Sequence, residues 1–190
     1  REILCSRAKN NTIHNLFCGE NIPEINGLRD LQDALGLSFP DPEGAAGANG
    51  NAAFTLTAHS SSLVAAFTNS INPRAIIFTP PQSGGLSGFV AMGYVRGENF
   101  VELISEDPDT GELEFFLLEY KQSCEDNPLG CSIGERLTPE AESGWQEISI
   151  YDEEDLKNTI LDCRQCHQTM GPGTKKILRM KKLQVPWTHF

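Results

Sequence analysis

Cys163-Arg-Gln-Cys-His167 brings two thiols and an imidazole into five consecutive residues. Thiols separated by two residues can add to the two vinyl groups of one tetrapyrrole, and the histidine that follows is then held beneath the iron as an axial ligand. The spacing is that of covalent haem c attachment, with thioethers at Cys163 and Cys166 and His167 on the iron. Two other chemistries use the same residue types. A redox-active dithiol of the thioredoxin kind needs a strand feeding a helix through the motif, and no strand pattern leads into Cys163. A zinc site needs two further ligands; Cys124 with Cys131, or His14 with Cys18, have the right elements but not the short spacing of structural zinc sites.

The other four cysteines fall into two close pairs. Cys124-Glu-Asp-Asn-Pro-Leu-Gly-Cys131 has turn residues between its sulfurs, which suits a disulfide closing a surface loop. Cys5 and Cys18 form a second candidate bridge, although nothing local forces them together. Even pairing predicts an oxidising compartment, periplasmic or extracellular. The chain opens at Arg1, which suits a processed product.

The formal net charge is −11 over 190 residues. It is unevenly spread: residues 171–190 carry Lys175, Lys176, Arg179, Lys181 and Lys182 and no acid, leaving 10 bases against 26 acids in the rest. An acidic body repels phosphates, so nucleic acid is not expected as a partner. No apolar run approaches the roughly 20 residues of a bilayer helix, so no transmembrane segment is expected in this sequence.

The elements that must position the motif read as α+β. Residues 1–52 read as short helices and a Gly-rich linker: Leu28, Leu31 and Leu35 share a helical face that ends at Gly36, and residues 40–52 are small and Gly-rich. Residues 53–151 read as an antiparallel β-rich module, with strands at 54–58, 74–79, 88–96, 100–105, 112–122 and 146–151. A hairpin is expected about Asp107-Pro-Asp-Thr-Gly111, and a helix over 60–69. Residues 152–190 read as a helical haem-binding segment. Asp152 caps a helix on which Leu156, Ile160, Cys163 and His167 share the inward side.

The stretch from Asp155 to Leu183 resembles the cytochrome c family. The matching features are a helix running into Cys-Arg-Gln-Cys-His, a Met170-Gly171-Pro172 turn, and a second helix from Thr174. The resemblance implies one covalently bound haem c, single-electron transfer, and redox proteins as partners, including haem-to-haem contact with another subunit or cytochrome. It also implies that the Pro172 carbonyl accepts the His167 Nδ1–H, fixing the tautomer. Only 23 residues follow His167, fewer than a self-contained domain of that family has. The pocket is therefore expected to be completed by the upstream chain, a neighbouring chain or further C-terminal sequence.

Candidates for the sixth iron ligand are Met180, in an apolar stripe with Ile177 and Leu183, and His189, beyond the helix-ending Pro186. Met170 is too close to His167 to reach the opposite haem face, and His14 and His59 are weaker candidates. Two other functions stay open on the sequence: a fragment of a cytochrome c peroxidase-like haem enzyme, and a zinc-stabilised β-rich binding module.

Overall fold

The computed structural model describes residues 2–7, 9–39, 50–58, 67–80, 88–168 and 170–178. Its centre is a single six-stranded antiparallel sheet with strands in sequence order: β1 (Ala53–Thr57), β2 (Arg74–Phe78), β3 (Val90–Tyr94), β4 (Phe100–Glu106), β5 (Leu113–Lys121) and β6 (Gln146–Asp152). All six predicted strands form. The β4–β5 hairpin turns where its chemistry requires: the Asp107 carboxylate accepts from the backbone N–H groups of Asp109 and Thr110, and Gly111 takes φ 67°. The register then runs from Glu106↔Leu113 to Phe100↔Glu119.

Three short helices, α1 (Glu2–Ser6), α2 (Thr12–Cys18) and α3 (Leu28–Ala34), precede the sheet as expected. Asn11 caps α2 by accepting from the His14 N–H at 2.8 Å, and Gly36 follows α3 at φ 69°. Disulfides join Cys5 to Cys18 and Cys124 to Cys131. The first ties α1 to the end of α2. Leu4, Ile13, Phe17, Leu31, Leu35 and Leu37 pack against Ile77, Val90, Met92, Val101, Leu103, Phe116 and Leu118, so helices and sheet share one core. Trp145 closes one end of it, stacked on Tyr120 with ring centroids 3.9 Å apart. Three one-turn segments, α4 (Ile133–Arg136) among them, lie between β5 and β6.

Residues 153–162 depart from the sequence reading. The helix expected through Cys163 is replaced by consecutive turns, and Ile160, placed on its inward side, is 97% exposed. Local side-chain bonds outcompete the helical ladder here. Asp152 accepts from the N–H groups of Glu154 and Asp155, as a cap does. But Asn158 then takes φ 62°, its N–H donating to Asp162, and the Thr159 hydroxyl donates to the Leu156 carbonyl. Helix resumes only as the single turn α5 (Arg164–His167). The helix expected from Thr174 does not form within 174–178. The helix expected over 60–69 and the linker at 40–52 fall largely outside the described residues.

Phe116 is 1% exposed at the centre of the shared core. Phe116→Ala is expected to lower unfolding stability by about 3–5 kcal/mol, read as a fall in the urea midpoint without a change in slope.

Candidate functional site

The helices cover one face of the sheet, and the motif lies against the other. Strand residues alternate between faces, so in-register partners align in rows across the strands. One such row is Phe78↔Ala91↔Ile104↔Phe115, crossing β2 to β5. With Phe89 and Leu113 it forms a separate apolar cluster, on which Cys163 and Leu178 pack. The His167 ring stacks on Phe115, centroids 4.5 Å apart and planes 27° apart. The upstream β-rich part of the chain thus supplies a wall for the motif.

Within the motif, α5 sets the spacing. Cys166 and His167 both donate backbone N–H bonds to the Cys163 carbonyl, at 3.2 and 3.0 Å, which puts the two cysteines one turn apart. Both are free thiols. Desolvation against the apolar cluster, reinforced by Glu153, pushes the Cys163 thiol up to about 11. The four remaining cysteines are tied up in disulfides and offer no thiolate to a metal. Among the described residues, no group of three or more His, Cys, Asp or Glu side chains is arranged to hold a bare metal ion.

The chain reverses after α5 through Gly171-Pro172-Gly173, the glycines at φ 99° and 78°. The returning strand of the loop meets the histidine twice. Ile177 donates its N–H to the His167 carbonyl at 2.9 Å, and His167 Nδ1 lies 3.0 Å from the Ile177 carbonyl oxygen. A carbonyl only accepts, so Nδ1 carries the proton and Nε2 keeps its lone pair. The sequence reading assigned that carbonyl to Pro172. The acceptor is Ile177 instead, because Pro172 sits at the apex of the reversal and the chain returns to the imidazole only five residues later. Desolvation lowers the His167 pKa, working against its bond to Ile177, so the neutral ring is favoured.

On the same sheet face, the Arg74 side chain crosses Gly93, where any Cβ would collide with its guanidinium, and pairs with Glu102. Burial lowers Arg74 to about 10. Its charge reaches the imidazole and adds to the lowering there.

These features meet the needs of a covalently bound haem: two free thiols one turn apart, an imidazole of fixed tautomer with Nε2 available, and an apolar wall. Among the described residues no sixth-ligand candidate lies at this site. Met180 and His189, like His59, lie outside the described residues; Met170 is exposed; and His14 belongs to α2, on the helix-covered side of the sheet. Phe115 and Ile177 were missed as site residues. Phe115 had a signal: Phe115-Phe-Leu-Leu118 is a continuous apolar run within a strand, which marks a sheet buried on both faces. Ile177 had none, since a backbone acceptor can be any residue.

Because only the thiolate alkylates, Cys163 is expected to react slowly at neutral pH. In Cys166→Ser protein its iodoacetamide rate should keep rising beyond pH 9, with a midpoint near the raised value of about 11. A plateau below pH 9 would contradict the packing of the half-buried Cys163 against the apolar cluster.

No protein-family model, curated protein or solved structure matches this chain significantly.

Proposed function

We propose that this chain is an exported carrier of single electrons holding one haem c, attached through Cys163 and Cys166 and ligated by His167. The observation that carries the reading is the hydrogen bond from His167 Nδ1–H to the Ile177 carbonyl, which leaves the Nε2 lone pair free beside two free thiols. The haem would supply a reversible ferric/ferrous couple. The chain's residues do the rest. Phe115 backs the imidazole plane, and the Phe89–Ala91–Leu113–Phe115 cluster excludes water from the Cys163 side.

The two disulfides support export to an oxidising compartment. Among the described residues no helix is long and apolar enough to cross a membrane. The acidic balance favours redox partners with a basic docking surface.

The reading is tested by producing the protein in a host with haem c maturation and titrating it electrochemically. The expected result is a reversible one-electron wave, accompanied by a c-type pyridine haemochrome; His167→Ala should abolish the native wave. A colourless native protein would overturn it.

A further inference from the structure

The Ile177 carbonyl can orient His167 only if the loop that carries it is itself fixed. Inside that loop the closures are local: Gln168 Nε2 donates to the Thr174 carbonyl and the Thr174 hydroxyl to that of Gly171, both at 2.7 Å. Such bonds travel with the loop and do not say where it sits. The Ile177 N–H bond to the His167 carbonyl ties the loop to α5, and among the described residues one ion pair anchors it to the sheet. Lys176, the residue before Ile177, places its Nζ on Glu153, which directly follows β6.

Both partners are withdrawn from water. Glu153 is 5% exposed, and the Lys176 side chain 14%. The second Glu153 oxygen has no hydrogen-bond partner among the described residues, and the nearby Lys9 is bonded to Glu114. A buried carboxylate in this position needs its charge partner, so Lys176 cannot leave without stranding Glu153. Surface ion pairs are interchangeable; this one is held in place. Leu178, the residue after Ile177, packs on the apolar cluster.

We propose that Glu153 and Lys176 are a positioning pair for His167: by fixing the Ile177 peptide they select the Nδ1–H tautomer and so present Nε2 to a ligand. Its consequence for iron rests on the haem reading above, whereas the tautomer is a property of the chain alone. Loss of the pair removes the loop's charged tie to the sheet, leaves the Ile177 carbonyl less firmly aimed, and lets the ring proton move to Nε2, the form unconstrained histidine side chains favour.

The test uses full-length, haem-free, ¹⁵N-labelled protein, with the His167 tautomer read from imidazole nitrogen shifts at a pH where the ring is neutral. The Nδ1–H form should dominate in the native chain. In Lys176→Met the ratio of Nδ1–H to Nε2–H should fall about five- to tenfold, the worth of one hydrogen bond. Lys176→Arg should restore it. Should Lys176→Met fail to fold, the double variant Glu153→Gln/Lys176→Met, which strands no charge, takes its place with the same expected fall. An unchanged ratio in the folded variant overturns the proposal. Haem uptake by the native protein judges the haem reading separately: failure there leaves the tautomer result to stand or fall alone.

Discussion

The central strands of the sheet are apolar on both faces, and the rest of the molecule follows from having to cover both. β3 is buried along its whole length, and β5 from Leu113 to Leu118. The N-terminal helices take the face of Val90, Met92, Phe116 and Leu118. They cannot reach the face of Ala91, Ile104 and Phe115, because consecutive strand residues point to opposite sides. Leaving that cluster exposed would cost about 25 cal/mol for each Å² of apolar surface. The segment carrying the motif covers it, so the same burial that stabilises the sheet places Cys163 and His167 on a defined wall.

Charge fixes how that segment is hung. Three acids gathered near the junction of β5 and β6, Glu114, Asp152 and Glu153, each bind a base from another part of the chain: Lys9, Arg7 and Lys176. The N-terminal segment, the sheet and the motif loop thus meet at one partly buried network. The neighbouring acids respond oppositely to it. Burial alone would push Asp152 up, but the Arg7 guanidinium and the backbone N–H groups of Asp155 and Glu154 outweigh it and hold the carboxyl below its ordinary value. Its contribution is therefore present above the ordinary carboxylate pKa and lost as pH falls through the depressed one. For Glu153 burial outweighs Lys176, and its pKa is raised. As pH falls, Glu153 takes up a proton before Asp152 does, so the tie to the motif loop loosens ahead of the tie to the N-terminus.

The sheet was legible because it is written locally. Alternating and apolar runs marked all six strands, and Asp107 to Gly111 marked the hairpin. Both disulfides of the expected pairs formed. The segment before the motif was misread for a physical reason: its apolar residues have helical spacing, but the Thr159 and Asp162 side chains offer the backbone nearer partners, and Asn158 takes φ 62°. The spacing of Cys163, Cys166 and His167 is written in the chain itself. The motif's setting was not legible, since the stacking on Phe115 joins positions 52 apart and the acceptor at Ile177 is a main-chain atom that no side-chain pattern encodes.

The central claim, that this wall and this loop exist to hold a haem at Cys163 and Cys166, is tested most directly by mass spectrometry. The measurement is made on the proteolytic peptide spanning Asp162 to His167, from protein matured in a haem c-producing host. The account predicts that this peptide carries one haem, bound through both sulfurs. Recovery of the peptide with two unmodified thiols, or with Cys163 and Cys166 joined to each other, would contradict it.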